Sequence, residues 1–539
     1  MSEPQRLLLS GNEAIALAAW HRGVALGTGY PGTPSTEILE AFSTLGGRAQ
    51  WSPNEKVAFE VAMGAAFCGA SAMVTMKHVG LNVAADVLFT IAYSGTSGPL
   101  VILSADDPGM TSSQNEQDNR RYAVAAGVPM LEPSDSQEAY DYVGEALDLS
   151  SRFHLPVLLR VTTRISHAKT VVVSSASRIE PSLGHFQRDI PSRVMIPAHA
   201  RPAHRRLRAK LAQIAKHHEA SPLNRVVEGK DRSLGIVTSG IAAMHVLEAA
   251  PDATVLKLGT THPLPLERIR RFASDVERCV VIEEGDPYLF EQLRAAGIPV
   301  EGKPEMYRFG ELNVDRVRRI VRGDTSPEPV PPRGKPPELC PGCPHRAVFR
   351  VLAKIDCIVS GDIGCYTLGA LPPLEAMDWM ICMGAAIGMG LGARHVLPPD
   401  EARRVVSVIG DSTFIHGGIT GLVEMAYNRP ATGHVVVILD NGTTAMTGLQ
   451  EHPGTGRLLD HGETHRLDYE KLARAVGIEN VHVIDPVKES ERFENTLREC
   501  LDRSELSLIV ARRPCILSVA KHGKREQARN TVATEGREP

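Results

Sequence analysis

The stretch VVSVIGDSTFIHGG at residues 405–418, followed by VVVILDNGTTAMTG at residues 435–448, decides the fold of this 539-residue chain. Each stretch begins with an apolar run rich in β-branched residues, which is typical of a fully buried parallel strand. The first run ends in Gly410-Asp411-Ser412 and the second in Asp440-Asn441-Gly442-Thr443. Because ligands of open α/β sheets bind at the carboxyl ends of the strands, we expect these polar residues to lie in a binding site.

The polar residues after the two strands predict a site for a metal ion and a diphosphate. The Asp411 carboxylate, the Asn441 amide and the Thr443 carbonyl are hard oxygen ligands, which suit a Mg²⁺ that keeps its other positions for water and phosphate. Their order resembles the thiamine-diphosphate motif, GDG and then, after a helix-length segment, asparagine; here Ser412 replaces the last glycine. The alternative is a pair of ordinary turns at strand ends, since a GD dipeptide alone is common.

Composition excludes several classes of function. With 43% hydrophobic residues and a net charge of −4, the chain can build several cores and has no overall basic character for nucleic acid. The basic stretch His199–His218 lacks interleaved aromatic residues, which favours a solvated connector helix over an RNA site. We see no membrane-spanning run and no signal peptide, so we expect a cytoplasmic location. The nine cysteines are then not a disulfide framework.

Alternating apolar strands and helical segments predict an α/β fold with three doubly wound parallel-sheet domains. The resemblance to the thiamine-diphosphate motif implies that these domains are of the thiamine-diphosphate-enzyme type. Proline density marks a linker, and the polar C-terminal residues lack periodicity. The expected order is a pyrimidine-binding-type domain at 1–185, a basic connector at 186–230, a transketolase-C-terminal-like domain at 231–325, a Pro-rich linker at 326–338, a diphosphate-binding domain with C-x-x-C at 339–520, and a disordered tail at 521–539.

Thiamine chemistry requires a carboxylate that shares a proton with N1′ of the cofactor's aminopyrimidine ring. Glu55 is the candidate, because it precedes a helix rich in small residues, where a ring could approach the backbone closely. Glu60 is the alternative. A glutamate in the first turn of a helix is more often a simple partner of the helix dipole, so the residues alone leave the role of Glu55 open.

The cysteines raise a question of redox or metal chemistry. Cys340 and Cys343 form a C-x-x-C, and Cys365 and Cys515 could complete a four-thiolate centre. Four thiolates serve both Zn²⁺ and [4Fe–4S] clusters, and inert buried thiols are the third alternative. Cys382, at the start of a Gly-rich helix, is predicted to be a packing residue. Core positions are predicted for the remaining four, Cys68, Cys279, Cys357 and Cys500.

The chain resembles the α subunits of indolepyruvate:ferredoxin oxidoreductases, a family within the 2-oxoacid:acceptor oxidoreductases. The resemblance covers residues 8–520 in the family's order. It is carried by the segments GNEAIALAAWHRG, GYPGTPSTEI, NEKVAFEVAMGAA, TMKHVGLNVAAD, DDPGMTSSQNEQDNRRYA, PVLLRVTTRISH, CPGCPHR, GDIGCYTLG and CMGAAIG, and by the metal motif.

The resemblance implies roles for individual residues. Glu55 takes the N1′ role, and Thr33, in the YPGTPS turn, contacts the carboxylate of the 2-oxoacid. Arg120, which adjoins Arg121, binds substrate, since an arginine fork pairs bidentately with a carboxylate. The thiamine diphosphate and its Mg²⁺ are held by Gly384, Gly410, Asp411, Ser412, Asn441 and Thr443, with Asp411, Asn441 and Thr443 on the metal. The [4Fe–4S] cluster nearest the thiamine is held by Cys340, Cys343, Cys365 and Cys515.

The resemblance also implies an activity and partners. The activity is oxidative decarboxylation of indolepyruvate or another arylpyruvate to an acyl-CoA, with coenzyme A as co-substrate. A smaller β subunit is expected in a hetero-oligomer, and electrons pass to ferredoxin or to a partner subunit. Family α subunits usually end in a ferredoxin-like module, and none follows Cys515, so the acceptor stays open. The alternatives are a non-oxidative thiamine decarboxylase or carboligase, and a non-catalytic zinc-bound scaffold subunit.

Overall fold

The computed structural model describes residues 5–175, 177–329 and 334–521. The chain divides into two compact units, Met1–Val330 and Pro331–Pro539. The strands are β1 (Gln5–Ser10), β2 (Leu26–Gly29), β3 (Ala49–Trp51), β4 (Ala72–Lys77), β5 (Leu100–Asp106), β6 (Met130–Leu131), β7 (Val157–Thr162), β8 (Lys169–Ser174), β9 (Arg225–Val227), β10 (Asp231–Ser239), β11 (Ala253–Leu258), β12 (Thr260–His262), β13 (Arg278–Ile282), β14 (Ile358–Ser360), β15 (Val405–Gly410), β16 (His434–Asp440), β17 (Asn480–Ile484) and β18 (Leu506–Arg512).

Helices connect most of these strands. They are α1 (Gly11–His21), α2 (Thr36–Thr44), α3 (Glu55–Phe67), α4 (His78–Val83), α5 (Ala85–Ser94), α6 (Arg120–Ala126), α7 (Ser136–Phe153), α8 (Thr163–His167), α9 (Ile190–Arg193), α10 (Pro197–Glu219), α11 (Ile241–Ala249), α12 (Leu266–Ser274), α13 (Tyr288–Ala295), α14 (Val314–Arg322), α15 (His345–Ile355), α16 (Ala385–Val396), α17 (Pro399–Arg404), α18 (Asp411–Thr413), α19 (Ile419–Tyr427), α20 (Tyr469–Ala475) and α21 (Ser490–Asp502), with 3₁₀ turns at Glu305–Arg308 and Cys365–Ala370 and a π-helical turn at Phe414–Gly418.

The first unit contains two mostly parallel sheets. Seven strands lie in the order β12-β6-β7-β5-β4-β2-β3, with only β12 antiparallel, and four lie in the order β13-β10-β11-β9, with only β9 antiparallel. A separate antiparallel ribbon joins β1 to β8. Strands β4, β5 and β7 are buried along their whole length, as expected where helices cover both faces of a parallel sheet.

The second unit contains one parallel sheet in the order β14-β15-β16-β18-β17. Its central strands β15 and β16 are the two apolar runs that open the sequence analysis, and every residue of both is buried. Asp411 follows β15 directly and Asn441 follows β16 directly, and because the two strands are parallel neighbours, both residues lie at the same edge of the sheet. The α/β fold of parallel sheets predicted from the sequence is confirmed.

The structure differs from the expected segment boundaries at two places. Strand β9 lies inside the expected connector 186–230, and β12 lies in the expected second domain but pairs with β6 of the seven-stranded sheet. Both strands have three residues, too few for a periodic signal. The basic helix α10 is present, with its apolar face buried. Of the expected tail 521–539, residues 522–539 lie outside the described residues.

Candidate active site

The carboxyl edge of the five-stranded sheet is built around Asp411, whose side chain is buried. Its Oδ1 accepts the Ser412 N–H at 2.8 Å, and its Oδ2 accepts the Gly442 N–H, from the loop after β16, at 2.7 Å. Burial raises the pKa of Asp411, but His452 and these two amides outweigh that effect and hold the pKa below its ordinary value. Asp411 is therefore an anion that ties the ends of β15 and β16 together.

His452 completes the surroundings of Asp411. Its Nδ1 accepts the Gly454 N–H at 3.1 Å, which leaves Nε2 to face Asp411. That Nε2 is 3.4 Å from Asp411 Oδ2. The sequence analysis did not find His452, because the segment after the metal motif has no periodicity that would place this side chain.

Asn441 has a fixed orientation at the same edge. Its Oδ1 accepts the Thr443 N–H at 3.0 Å, and its Nδ2 donates to His345 Nε2 at 3.2 Å. Burial lowers the pKa of His345 to about 4, so the ring is neutral and able to accept this bond. The backbone carbonyl of Asn441 accepts the Cys515 N–H at 2.9 Å. The predicted metal-binding residues are thus bonded directly to the segments that carry the cysteines.

The predicted cofactor-binding glycine Gly384 directly precedes α16, as its N-cap residue. It has a φ of +89°, and a Cβ there would lie 2.6 Å from Gly417 Cα, so only glycine fits. Asp362, at the end of β14, accepts the N–H groups of Gly384 and Ala386, both at 2.9 Å. Burial raises the pKa of Asp362 to about 6, although these amides oppose the rise.

The buried carboxylate Asp440 makes this edge suited to a cation. Burial, and then the nearby charge of Asp411, raise the pKa of Asp440, while Arg512, 2.7 Å away, lowers it. Two buried carboxylates that repel each other gain stability from a divalent cation nearby. Asp411, Asn441 and the Thr443 carbonyl therefore fit a Mg²⁺ ion, which would in turn attract a diphosphate.

The four thiols predicted to share a centre influence one another. Burial, and then the charges of Cys343, Cys515 and Cys340, raise the pKa of Cys365 to about 11. No three His, Cys, Asp or Glu side chains in the described ranges are grouped closely enough to hold one metal ion. Tetrahedral Zn²⁺ would hold its thiolates roughly 3.8 Å apart, from a Zn–S bond of about 2.3 Å. The cluster at these four thiols therefore stays a prediction, as do its alternatives, zinc and inert buried thiols.

In the first unit, Glu55 lies in the first turn of α3 and is 4% exposed. It packs against Gly80, where a Cβ would lie 2.6 Å from Glu55 Oε1. The alternative carboxylate Glu60 lies one turn further on, is partly exposed, and forms an ion pair with Lys56. The buried position of Glu55 fits the N1′ role better than the partly exposed position of Glu60.

The turn that carries Thr33 follows β2, next to the end of β4. The Gly32 N–H donates to Thr36 Oγ1 at 2.9 Å, and the Ser35 hydroxyl donates to the Gly32 carbonyl at 2.8 Å, which fixes the turn. A Cβ on Gly32 would lie 3.0 Å from Cβ of Lys77, the last residue of β4. The structure therefore places Lys77, which the sequence analysis missed, beside the turn.

Arg120, predicted to bind substrate, is 1% exposed and fully engaged with its own chain. Its Nε donates to Asp118 at 2.8 Å, and one terminal nitrogen donates to Glu283 at 2.7 Å. The other terminal nitrogen donates to the carbonyls of Glu284 at 2.9 Å and Asp286 at 3.0 Å. This geometry favours a structural clamp, and a substrate role for Arg120 stays a prediction that the geometry does not support.

The surroundings of Arg120 already hold more carboxylates than cations. Arg160 contacts Asp106 at 2.7 Å and also Glu132. Glu284 accepts the Leu312 N–H with Oε1 at 3.0 Å, while its Oε2 is buried without a partner among the described residues. Burial raises the pKa of Glu284 to about 7. A further carboxylate would not be stabilised here.

Comparison with known protein families agrees with this architecture. Residues 18–219 match the family described as pyruvate flavodoxin/ferredoxin oxidoreductase, thiamine diphosphate-binding. Residues 362–511 match the C-terminal thiamine pyrophosphate-binding domain of thiamine pyrophosphate enzymes. A solved 2-oxoglutarate:ferredoxin oxidoreductase from Magnetococcus marinus, bound to 2-oxoglutarate, coenzyme A and succinyl-CoA, shares the fold at 17% identity and a TM-score of 0.51, covering 60% of this chain and 67% of that one.

The fold, the residues at the carboxyl edge of the five-stranded sheet and the two family matches together identify the chain's class. It is the catalytic subunit of a thiamine-dependent 2-oxoacid oxidoreductase. The indolepyruvate oxidoreductase subunit IorA of Archaeoglobus fulgidus is 41% identical over 97% of this chain and 89% of its own length. That of Pyrococcus abyssi is 39% identical over 95% of this chain and 86% of its own length. The chain belongs to the IorA family, as the sequence analysis predicted, and neither a non-oxidative thiamine enzyme nor a scaffold subunit is supported.

Proposed function

We propose that this chain catalyses the oxidative decarboxylation of indolepyruvate or another arylpyruvate to an acyl-CoA, together with a smaller β subunit in the cytoplasm. The substrate follows from the names of its relatives, which are indolepyruvate oxidoreductases. Coenzyme A is bound in the Magnetococcus marinus structure and is proposed as the acyl acceptor here. None of the helices in the described ranges combines the length and apolar composition of a membrane span.

The observation that carries the proposal is the edge at which Asp411 bonds the loop after β16. Asp411, Asn441 and the Thr443 carbonyl would hold Mg²⁺, and Gly384, Gly410 and Ser412 would line the diphosphate. Bound thiamine diphosphate supplies a nucleophilic carbon and an electron sink for loss of CO₂. His345 and the Thr443 N–H orient the Asn441 amide, and His452 keeps Asp411 ionised.

Glu55 is proposed to share a proton with N1′ of the cofactor ring. Because only 4% of its surface is exposed, the Glu55 carboxylate would share this proton with the bound ring and not with bulk water. Gly80 leaves room for its side chain, since a Cβ there would overlap Glu55. Thr33, on the turn after β2, is proposed to contact the substrate.

The cysteines Cys340, Cys343, Cys365 and Cys515 are proposed to hold a [4Fe–4S] cluster that passes electrons to ferredoxin or to a redox centre of the partner subunit. Their support is the mutual electrostatic effect among the thiols and the hydrogen bond from Cys515 to Asn441. That bond joins the segment that carries Cys515 directly to Asn441, one of the proposed Mg²⁺ ligands.

Substrate specificity tests this function directly. The chain, co-expressed with its partner subunit and purified without oxygen, should reduce methyl viologen with coenzyme A and a 2-oxoacid. We expect indolepyruvate and phenylpyruvate to give the highest kcat/KM, with pyruvate and 2-oxoglutarate well below them. A preference for 2-oxoglutarate would contradict the proposed substrate while leaving the enzyme class intact.

Iron analysis tests the cluster. We expect about four irons per chain and absorbance near 400 nm, as for a protein-bound [4Fe–4S] centre. Cys340→Ser should lose iron and keep thiamine diphosphate, because a serine oxygen is a poorer ligand for cluster iron than a thiolate. Cys68→Ser, in the other unit, is the matched control and should keep both. Zinc at these thiols in an active enzyme would overturn the assignment.

A further inference from the structure

Lys77 is a buried cation that forms no ion pair with the residues that the structure describes. It ends the fully buried strand β4, and the residue is only 9% exposed. Throughout the described ranges, its Nζ makes one hydrogen bond, to the Ser112 carbonyl at 2.6 Å, and no carboxylate lies within ion-pair distance. A buried ammonium that is not paired costs several kcal/mol. Such a group persists in a fold where it has a ligand to bind.

The Asp107 carboxylate is held by other hydrogen bonds and forms no ion pair with Lys77 among the described residues. Asp107 accepts the Ser112 N–H at 2.8 Å, the Ser113 hydroxyl at 2.5 Å and the Thr163 hydroxyl at 2.9 Å. These bonds orient Asp107 toward its own loop. Burial lowers the pKa of Lys77, and the charges of Asp107 and Glu55 act against that change from a distance.

The position of Lys77 is that of a ligand-binding residue. It stands at the carboxyl end of a central parallel strand, where ligands of α/β sheets bind. Its Cβ packs beside Gly32, the residue before Thr33, and its charge reaches Glu55. Lys77 therefore lies among the residues of this unit that are assigned to cofactor activation and substrate contact.

Arg120 offers the opposite case. Its guanidinium already donates to two carboxylates and two carbonyls, in surroundings with surplus negative charge. Lys77 differs, because its ammonium has three N–H donors and makes one hydrogen bond among the described residues, so donors remain for an anion. We propose that Lys77 binds the carboxylate of the 2-oxoacid substrate, with the Ser112 carbonyl holding its ammonium in place. The inference rests on the proposed function only in taking a 2-oxoacid as substrate.

Binding of an unreactive isostere tests the inference without turnover. Oxamate has the carboxylate and carbonyl of a 2-oxoacid, and oxamide is its uncharged counterpart. Calorimetry on the full chain loaded with thiamine diphosphate should show that oxamate binds more tightly than oxamide. Lys77→Met should weaken oxamate binding roughly 10- to 100-fold, the factor that a charge-assisted hydrogen bond provides, and leave oxamide unchanged.

Two further variants separate binding from structure. Lys77→Gln keeps a donor for the Ser112 carbonyl and lacks the charge, so it should behave like Lys77→Met. Lys230→Met removes the same charge at a side chain that is 90% exposed and should leave both ligands unaffected. We also expect an unchanged or higher Tm for Lys77→Met, because an unpaired buried charge is removed.

The outcomes distinguish this inference from the proposed function. Equal weakening of oxamate and oxamide, or unchanged oxamate binding in both Lys77 variants, would overturn it. A lower Tm without selective loss of oxamate would assign Lys77 a purely structural role and overturn it as well. If oxamate binding depends on Lys77 but no arylpyruvate is oxidised, the inference stands and the proposed substrate fails.

Discussion

The carboxyl edges of the two large sheets handle charge in different ways. At the five-stranded sheet, Asp411 and Asn441 follow neighbouring strands. Asp411 accepts N–H groups from its own loop and from the loop after β16, and Asn441 accepts the Thr443 N–H, so the edge is rich in anionic and carbonyl oxygen. At the seven-stranded sheet, Glu55 and Lys77 come from separate segments, and the lysine has no counter-ion within the described residues. One edge is suited to a cation that bridges a diphosphate, and the other to a proton transfer beside a substrate anion.

The difference shows what kind of site a linear motif can reveal. Residues that directly follow two adjacent parallel strands lie close together in space. Each one can also be recognised in the sequence, because it comes directly after an apolar run. Residues that meet through a helix start, a strand end and a distant loop leave no such pattern, and only their burial and pairing identify them.

The largest effect is the loss of turnover expected in Glu55→Gln. Normal turnover in this variant would contradict the proton transfer assigned to the edge of the seven-stranded sheet. Glu55→Gln keeps the shape of the side chain but cannot share a proton in the same way, so turnover should fall about 10²- to 10⁴-fold. Glu60→Gln is the matched control, on the partly exposed face of the same helix. Steady-state kinetics measure both, and a loss in Glu60→Gln with normal Glu55→Gln would reverse the assignment.

The next effect sharpens the contrast between Arg120 and Lys77. Arg120→Met leaves Asp118 and Glu283 buried without their cation, so the free energy of unfolding should fall by about 3–5 kcal/mol. Arg121→Met removes only partly exposed ion pairs and should cost less than about 1 kcal/mol. Denaturant unfolding measures both changes. A stable Arg120→Met with a raised substrate KM would instead show that Arg120 binds substrate.

Glu284 tests whether the surroundings of Arg120 carry surplus negative charge. Burial raises its pKa to about 7, so the folded state keeps this proton at pH values where the unfolded state has lost it. The free energy of unfolding therefore falls as pH rises from about 5 to about 7. In Glu284→Gln this dependence is removed, and the stability of the variant relative to wild type should increase by roughly 2 to 3 kcal/mol between pH 5 and pH 8.

Chemical denaturation across that pH range checks the prediction for Glu284. The exposed Glu277→Gln is the control and should show no such trend. A constant difference between Glu284→Gln and wild type at every pH would show that Glu284 is ionised in the folded protein.

The smallest effect concerns His452 at the oxygen-rich edge. His452→Ala removes the imidazole N–H that faces Asp411, so Mg²⁺-dependent binding of thiamine diphosphate should weaken by about 10-fold, as for other groups that support a metal ligand. His465→Ala changes an exposed histidine and should have no effect. Titration calorimetry with Mg²⁺ in excess measures both, and unchanged affinity in His452→Ala would remove it from the site.

Much of the fold could be predicted because apolar periodicity decides it. Val405–Ile409 and Val435–Leu439 predicted two buried strands, and the structure extends them to β15 and β16 by only one or two residues. The helix rich in small residues that the sequence predicts at Glu55 is α3, which ends at Phe67 before the left-handed Gly69. The short edge strands β9 and β12 and the β1–β8 ribbon could not be predicted, because tertiary pairing and not local pattern forms them.

The residues of the candidate site likewise fall into those that a local pattern predicted and those that only tertiary contacts reveal. Asp411 and Asn441 were found because each follows an apolar run. Lys77, His345 and His452 were missed, since their partners Ser112, Asn441 and Gly454 include residues far away in sequence or in loops without a repeat. For Arg120 the resemblance implied a substrate contact, and only the structure showed that its guanidinium bonds Glu283 and the carbonyls of Glu284 and Asp286, which are far away in sequence.

The edge of the five-stranded sheet is proposed to bind the cofactor, whereas Glu55 at the seven-stranded sheet is proposed to activate it. Binding of thiamine diphosphate to two variants tests this assignment most directly. In the presence of Mg²⁺, Asp411→Ala should lose most of its affinity, because the diphosphate loses its bridging cation. Glu55→Gln should bind with near wild-type affinity although it is almost inactive. The same calorimetric titration on both variants gives the answer. Unchanged affinity in Asp411→Ala, or loss of binding in Glu55→Gln alone, would contradict the account.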